Sequence, residues 1–365
     1  MVKYIHQNRN YPKFTWDRSL ILELLTRTAV LQDRFLGKMQ QLGFGDRQKA
    51  MLNALTEEIT KSSEIEGEAL NSEQVRSSLA KKLDITLKNK ATPSHRIDGF
   101  VEAMMDAIKN FDKPLTKTRI FGWHAALFPT SYSGMEKILV GKFRKEEMQV
   151  VSRKYARDVV HYLAPAPEKV SGQMTDFLKW LNGKKNENPL LKAAIAHLWF
   201  VIIHPFDDGN GRLTRIITEM LLARCENSPL RFYSMSAQIQ KEKKSYYSVL
   251  EKTTTGSLDI SGWLQWFFNC LNKSMEASED TAGNVLKKAQ FWQKNALAIP
   301  NKIQQEIINR LFDGFVGNMS SGKAAKIFKV SQDTAARLLK DLVDRGFMAV
   351  CGSGRSTHYV LKTKR

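Results

Sequence analysis

Apolar residues recur every three or four positions along most of the chain, which is the period of an amphipathic helix. The most apolar segment, 190–203, is expected to be a central buried helix. The pattern predicts helices over 16–39, 49–65, 96–108, 117–127, 190–203, 213–225, 238–250 and 260–271. The predicted fold is therefore mainly α.

Two segments depart from this pattern. Residues 137–152 contain Gly141, alternating side chains and Val150-Val151, and are predicted to form a β-hairpin. Near the C-terminus, helices over 322–328 and 332–344 are followed by two short strands around a Gly-Ser-Gly-Arg turn. Helix, turn, helix and hairpin is the order of a winged helix-turn-helix, an α+β fold.

With 365 residues, the chain is too long for one ordinary domain. We expect a helical N-terminal domain over 1–95 and a helical core with a small hairpin over 96–275. The stretch 272–283 marks the end of that core, and a linker helix over 276–300 leads to the winged helix at 301–365.

The composition is that of a globular protein, with 42% hydrophobic and 25% charged residues. A net charge of +19 indicates a polyanionic partner; the alternative is a generally basic surface. Cys225, Cys270 and Cys351 lie far apart, which argues against a disulfide scaffold or a cysteine zinc site and fits a reducing cytoplasm. No signal peptide or membrane-spanning stretch is recognisable, so we expect a cytoplasmic protein.

One segment carries chemistry. Residues 204–215 read His-Pro-Phe-Asp-Asp-Gly-Asn-Gly-Arg-Leu-Thr-Arg, a tight loop between two predicted helices. Gly209 and Gly211 let the backbone turn sharply and approach a ligand. Their amides and the start of the next helix suit phosphate oxygens, and Arg212 and Arg215 add positive charge.

The same segment supplies a base and a metal ligand. His204 has the ordinary pKa of a base that works near neutral pH, and Asp208 is a hard oxygen ligand suited to Mg²⁺. Together these residues predict nucleotide-dependent group transfer. The alternative is a surface loop with a helix cap and two solvated arginines.

The segment resembles the signature of Fic-domain proteins, His-x-Phe-x-Asp/Glu-Gly-Asn-Gly-Arg-x-x-Arg, with every fixed position filled. The helical core is similar to that family too. The resemblance implies that His204 deprotonates the hydroxyl of a target Ser, Thr or Tyr, which then receives AMP from ATP while pyrophosphate leaves. Gly211 argues against the subgroup that has Lys at this position and acts as a kinase.

The resemblance also implies roles for the rest of the loop. Phe206 would anchor the loop in the core and Asp208 would bind Mg²⁺, whereas Asp207, at the variable position of this ATP-binding segment, would face away. The phosphate contacts implied are Gly209, Asn210 and Gly211 for the α- and β-phosphates, Arg212 for the β-phosphate and Arg215 for the γ-phosphate.

Two neighbouring features resemble other parts of that family. The predicted hairpin is similar to a flap that docks the target by β-augmentation, here through Val150 and Val151; the alternative is an ordinary structural hairpin. Tyr246 and Tyr247, which follow Lys241, resemble the part that contacts adenine and ribose. The alternative is that they are core aromatics.

Residues 62–67 read Ser-Ser-Glu-Ile-Glu-Gly and resemble the family's inhibitory motif, Ser/Thr-x-x-x-Glu-Gly/Asn, through Ser62, Glu66 and Gly67. Pairing of Glu66 with Arg215 would take the arginine from the γ-phosphate and repel the nucleotide. The alternative is a solvated helix glutamate. The first ninety residues resemble an N-terminal domain often attached to Fic proteins.

The tail from residue 301 has 12 basic and 5 acidic residues. DNA binding would place Arg337 and Lys340 in the major groove and Arg355 at the tip of the wing. The alternative is a winged helix used for protein contact or for formation of a homodimer.

Three functions follow from these observations. The first is a protein adenylyltransferase with intramolecular inhibition. The second is removal of AMP from a modified protein, with Glu66 orienting water. The third is a DNA-binding regulator with a vestigial Fic domain, although a vestigial site has no need of the intact His204 and Asp208.

Overall fold

The computed structural model of the chain describes residues 4–87, 89–154, 157–183, 187–312, 315 and 318–362. It is mainly helical with short strand pairs, which confirms the predicted fold class. Two compact units are present. The first comprises Met1–Gly37 with Arg47–Ser278, and the second comprises Lys38–Asp46 with Glu279–Arg365.

The helices up to residue 295 follow in close succession. They are α1 Arg18–Gln40, α2 Phe44–Ile65, α3 Ser72–Lys82, α4 His95–Lys109, α5 Lys117–Leu127, α6 Pro167–Asn182, α7 Pro189–Ile203, α8 Asn210–Cys225, α9 Met235–Lys241, α10 Lys243–Thr254 and α11 Ser261–Asn295. Within the described residues, none of the helices combines the length and apolar composition needed to cross a bilayer.

Helix α7 is the centre of the first unit. Its N-cap Asn188 accepts hydrogen bonds from the Leu190 and Leu191 amides, and almost every side chain that follows is buried. Because α7 is apolar on all sides, it is stable only with neighbours on all sides. It packs on α6 and α8, while α4 packs on α5 and α8. The predicted central helix is confirmed.

The strands differ from the prediction. Strands β1 (Tyr132–Ser133) and β2 (Glu136–Lys137) form a small antiparallel pair, and β3 (Gln149–Lys154) pairs with β4 (Arg157–Leu163). The predicted hairpin over 137–152 is therefore wrong in its bounds. Gly141 lies in the loop between β2 and β3 and not at a hairpin turn. Its N–H donates to His124 Nδ1 at 3.1 Å.

The predicted helix end near residue 271 is also wrong. Helix α11 continues through Asn272 because Leu271 and Met275 keep the helical spacing of buried apolar residues. A separate linker helix over 276–300 is absent from the described residues for the same reason. The boundary predicted at residue 95 falls inside the first compact unit.

The second unit has its own core, which includes Ile308, Leu339 and Leu342. Its elements are α12 Lys302–Phe312, α13 Ser321–Phe328, α14 Gln332–Asp344, β5 Met348–Cys351 and β6 His358–Leu361. Ser331 caps α14 by accepting the Thr334 amide, so the break between α13 and α14 is sharp. The helices and strands predicted between 322 and 361 are confirmed as elements.

Candidate active site

His204 lies directly after the last residue of α7. Its φ of 48° is left-handed, which is uncommon for a residue with a side chain, and its N–H still donates to the Phe200 carbonyl at 3.0 Å. The buried Arg144 donates from Nε to the His204 carbonyl at 2.8 Å and from its backbone N–H to Pro205 at 3.0 Å. Arg144 therefore fixes this strained backbone.

The protonation of His204 follows from its surroundings. Burial lowers the pKa of His204 to about 4, below the value expected from the sequence. Its Nδ1 lies 3.3 Å from the Val201 carbonyl oxygen, which places the proton on Nδ1 and leaves Nε2 as the acceptor. The imidazole is thus neutral at physiological pH and able to accept a proton at Nε2.

Phe206 anchors the loop after His204. Its ring is fully buried and stacks on His124, with 4.2 Å between centroids and 13° between planes. The Asn210 side chain accepts the Phe206 N–H at 3.0 Å and donates to the Phe206 carbonyl at 2.8 Å. This reciprocal amide pair holds the loop closed, so the Asn210 side chain is committed to the loop.

His124 is a second organising residue. It accepts the Gly141 N–H at Nδ1, and Nε2 donates to the Asp208 carbonyl at 3.1 Å. Burial lowers the pKa of His124 to about 4, so the ring stays neutral. It positions the loop backbone through one donor and one acceptor.

The two adjacent carboxylates have different partners. Asp207 accepts the Leu139 N–H at 2.8 Å, so its side chain holds a neighbouring loop. Asp208 accepts hydrogen bonds from the Gly209 amide and the Ser133 hydroxyl, both at 2.5 Å, and lies 3.2 Å from Arg212 Nη2.

Asp208 suits a magnesium ion that is shared with phosphates. Its side chain is 39% exposed, and Mg²⁺ commonly binds one or two carboxylates while water and phosphate oxygens complete its shell. Among the described residues, no cluster of three or more acidic, histidine or cysteine ligands is present. Asp208 therefore fits such an ion only together with a phosphate ligand.

Helix α8 begins at the bottom of the loop. Gly209 precedes it with φ +82°, and a Cβ there would meet a Phe128 ring carbon at 2.7 Å. Gly211 lies under Glu66, since a Cβ at 211 would meet Glu66 Oε1 at 2.0 Å. The free amides and dipole of such a helix start favour anions.

Arg215 is buried and is held by the end of α2. Its Nε donates to the Ser62 hydroxyl at 2.7 Å, and Nη2 donates to the Ser62 carbonyl at 2.8 Å and to Glu66 Oε1 at 2.7 Å. Burial lowers the pKa of Arg215, but the Glu66 carboxylate outweighs it and the net shift is upward. Gly67 closes the end of α2 by donating its N–H to the Glu64 carbonyl.

Arg212 also contacts a carboxylate, that of Glu68, which follows the end of α2. Its Nη1 donates to Glu68 Oε2 at 3.0 Å, and its guanidinium lies over the Phe128 ring at 4.8 Å. Glu68 in turn accepts from Arg96 Nη2 at 2.7 Å. The sequence contains one indication that Glu68 is near the site, namely its position two residues after Glu66. No feature of the sequence around Arg96 predicts that it lies there.

The adjacent residues Tyr246 and Tyr247 have different surroundings. Tyr246 is buried, as expected for a core aromatic, and its hydroxyl donates to His197 Nε2 at 3.0 Å. Tyr247 is exposed and donates to the Ile65 carbonyl at 3.3 Å, beside Glu66. Lys241 is exposed at the last residue of α9, whereas Lys243 Nζ lies 3.5 Å from the Glu64 carbonyl.

The remaining predicted residues lie elsewhere. Val150 is half-buried on β3 at a register shift, and Val151 follows on the same strand with a side chain outside the described residues. In the second unit, Arg337 and Lys340 are exposed on α14. The Arg355 side chain also lies outside the described residues.

Known proteins resemble this chain in parts. Residues 114–222 match the Fic/DOC family model, and residues 4–85 match a domain of unknown function, DUF4172. A protein adenylyltransferase Fic from Aedes aegypti is 25% identical over 71% of this chain and 49% of its own length. One from Nematostella vectensis is 32% identical over 33% of this chain and 26% of its own length. The chain thus spans less than half the length of these curated relatives.

Solved structures show the same fold. The crystal structure of a Fic family protein from Desulfovibrio desulfuricans G20 has a TM-score of 0.57 and 19% identity, and covers 97% of this chain and 99% of its own. A Fic domain containing signalling protein from Bacteroides thetaiotaomicron has a TM-score of 0.50 and 20% identity, over 71% of this chain and 96% of its own.

Proposed function

Because the chain contains a Fic/DOC domain, we propose that it is a protein adenylyltransferase that transfers AMP from ATP to a hydroxyl group of a target protein. The observation that carries this proposal is the loop between α7 and α8. It brings the neutral imidazole of His204, the carboxylate of Asp208 and the start of α8 into one short segment. Curated relatives named as adenylyltransferases support it.

The proposed reaction is an in-line displacement. His204 Nε2 accepts the proton of the target hydroxyl, whose oxygen forms a bond to the α-phosphorus of ATP. The bond from the α-phosphorus to the bridging oxygen breaks and pyrophosphate leaves. The α8 amides and the arginines of α8 stabilise the phosphate charge. Asp208 would hold Mg²⁺, which neutralises phosphate charge when bound.

We infer that Glu66 inhibits this reaction. Its carboxylate occupies Arg215, the residue assigned to the γ-phosphate, and lies directly over Gly211. A nucleotide at the start of α8 would lack Arg215 as a cationic partner. It would also be repelled by the Glu66 carboxylate. Tyr247 and Lys243 contact the same end of α2, so the inhibitory segment is held from a second side.

The target segment is proposed to add to strand β3. Within the described strands, β3 pairs with β4 alone, so its outer edge carries amide groups that a partner strand can use. Val150 lies on this strand, next to the register shift in its pairing with β4. The partner is thus an extended segment with Ser, Thr or Tyr.

A further role is proposed for the second unit as a winged helix-turn-helix that binds DNA. Helix α14 buries Ala335, Leu339 and Leu342 and exposes Arg337 and Lys340 on the other face. A basic exposed face on a helix of this arrangement favours the DNA backbone and major groove.

Labelling with ATP tests the enzymatic proposal. The full chain is incubated with Mg²⁺ and ATP labelled at the α-phosphate, as wild type, Glu66→Gly and Glu66→Gly/His204→Ala. We expect label on the Glu66→Gly protein and a loss of about 10²–10⁴-fold in the double variant. Label from γ-labelled ATP, or full labelling of the double variant, would overturn the proposal. The same proteins with a pre-modified target measure AMP removal.

A further inference from the structure

Arg212 is shared between two carboxylates that come from different parts of the chain. Its side chain is 4% exposed; Nη1 lies 3.0 Å from Glu68 Oε2 and Nη2 lies 3.2 Å from Asp208 Oδ2. Asp208 belongs to the candidate active-site loop, but Glu68 does not. Glu68 follows α2 and lies two residues after the residue that occupies Arg215.

Glu68 is firmly placed in this position. Its backbone N–H donates to the Ser63 carbonyl at 3.0 Å, which ties it to the last turn of α2. Its two oxygens also face Arg96, with Nη1 at 2.5 Å from Oε1 and Nη2 at 2.7 Å from Oε2. Arg96 is 40% exposed and Glu68 is 24% exposed, so this second pair lies nearer to solvent than Arg212.

The charge around Arg212 opposes a third anion. One buried guanidinium already faces two carboxylates, and a phosphate would bring further negative charge beside Glu68. Displacement of Glu68 removes that repulsion and frees Nη1. Arg96 remains a cationic partner of Glu68 when Glu68 moves away from Arg212. The displaced carboxylate is therefore not left as an unpaired charge.

We propose that Glu68 is a second inhibitory carboxylate, which competes with the β-phosphate of a nucleotide for Arg212. The inference rests on the proposed nucleotide site and deepens its regulation. One short segment after α2 thereby blocks two arginines, Arg215 through Glu66 and Arg212 through Glu68. Removal of Glu66 alone leaves Arg212 engaged.

Nucleotide binding tests this role without catalysis. Isothermal titration of the full chain compares ADP, which has a β-phosphate, with AMP, which has none, for wild type and Glu68→Gln. We expect Glu68→Gln to bind ADP about 5- to 30-fold more tightly than wild type, with AMP affinity unchanged. The matched control is Glu64→Gln, whose carboxylate pairs with Lys61 on the same helix; it should behave as wild type.

Three outcomes would overturn the proposal. Equal tightening for AMP and ADP would show a general charge effect, and unchanged or weaker ADP binding would show that Glu68 only holds Arg212 in place. ADP tightening in Glu64→Gln to the same extent would remove any specific role. If Glu68→Gln fails to fold, Glu68→Ala also removes the carboxylate charge and is expected to tighten ADP binding in the same sense.

A rate measurement separates this inference from the proposed function. Glu66→Gly/Glu68→Gln should transfer AMP with a higher kcat/KM for ATP than Glu66→Gly alone. If none of the variants transfers AMP but Glu68→Gln still tightens ADP, the proposed function fails and the role of Glu68 stands. If transfer occurs but the second substitution lowers kcat/KM, the role of Glu68 fails and the proposed function stands.

Discussion

Glu66 accepts a hydrogen bond from Nη2 of Arg215 at 2.7 Å, although 149 positions separate the two residues. Arg215 is 2% exposed and the Glu66 side chain is 30% exposed, so a buried cation meets an anion at the rim of the site. Ser62 holds the same guanidinium through its hydroxyl and its carbonyl. The arginine therefore keeps two neutral partners when the carboxylate is removed.

The first prediction concerns this pair. Glu66→Gly should raise auto-modification by about 10- to 100-fold, because a charge-assisted contact no longer competes for Arg215. Glu66→Gln should activate partly and Glu66→Asp little. Arg215→Ala should not activate, because the γ-phosphate loses the same partner. Initial rates with labelled ATP measure all four, and activation by Arg215→Ala would contradict the pairing.

A second prediction uses the close approach at Gly211. The Cβ of Gly211→Ala would lie 2.0 Å from Glu66 Oε1, so the carboxylate must rotate away from Arg215. We expect a loss of about 1–3 kcal/mol in the free energy of unfolding, from the broken charge-assisted contact. In a Glu66→Gly background the loss should be much smaller. Urea unfolding of the four proteins measures the coupling, and equal losses in both backgrounds would exclude it.

The third prediction is a stability that depends on pH. Burial lowers the pKa of His124 and of His204 to about 4 and that of His197 to about 3. The unfolded chain, with ordinary values near 6.5, binds more protons in this window. The stability that these histidines contribute is therefore fully present above about pH 6.5 and is lost as the pH falls toward 4.

Replacement of one histidine tests the sign. His197→Gln should reduce the slope of unfolding free energy against pH by up to about 1.4 kcal/mol per pH unit between pH 6 and 4.5, since one fewer proton is taken up. Urea unfolding across this range measures the slope. The exposed His95→Gln serves as control. An unchanged slope in His197→Gln would show that this ring is protonated in the folded protein.

Much of the candidate site was predictable because its residues are contiguous in sequence. Residues 204–215 bring a base, a carboxylate and a helix start together through local geometry alone. Their supports were not predictable, because Arg144, His124 and Arg96 are selected by packing between distant elements. Nothing in the sequence near them distinguishes a buried organising side chain from a solvated one.

The elements of the fold likewise divide into those that were predictable from the sequence and those that were not. Helices with strong periodicity, such as α7 and α14, were predicted near their observed bounds. The β3–β4 hairpin was not, because Tyr155 and Ala156 between its strands are not residues that mark tight turns, whereas Gly141 is. The burial of Tyr246 was not predictable either, because its hydroxyl pairs with His197, which lies 49 positions away.

The fourth prediction separates the two aspartates. In the Glu66→Gly background, Asp208→Asn should lower Mg²⁺-dependent transfer by about 100-fold or more, because the phosphates lose their metal carboxylate. Asp207→Asn should retain most activity, since its oxygen accepts the Leu139 amide and the replacement keeps an acceptor. Rates at increasing Mg²⁺ measure both, and a similar loss in each would mean that Asp207 also contacts the nucleotide.

The last prediction concerns DNA. If α14 contacts phosphates, affinity for a duplex should fall steeply from 50 to 200 mM salt. Arg337→Ala/Lys340→Ala should reduce the slope of log affinity against log salt by about 1.8, or 0.9 for each phosphate contact. Fluorescence anisotropy measures it, with Arg345→Ala as control because that arginine pairs with Asp341. Absence of any binding at low salt would favour a protein partner.

The inhibitory segment and the loop that it covers belong to one compact unit of one chain. Attachment of this kind holds a group at an effective concentration in the millimolar range or above, whatever the amount of protein present. Dilution therefore would not release the proposed inhibition, and neither would a change in expression level. Inhibition by a separately encoded protein would depend on concentration, because the fraction of enzyme that is inhibited would vary with the amounts of both proteins. The proposed inhibition would therefore be relieved by displacement of the segment that follows α2, and not by a change in the abundance of the protein.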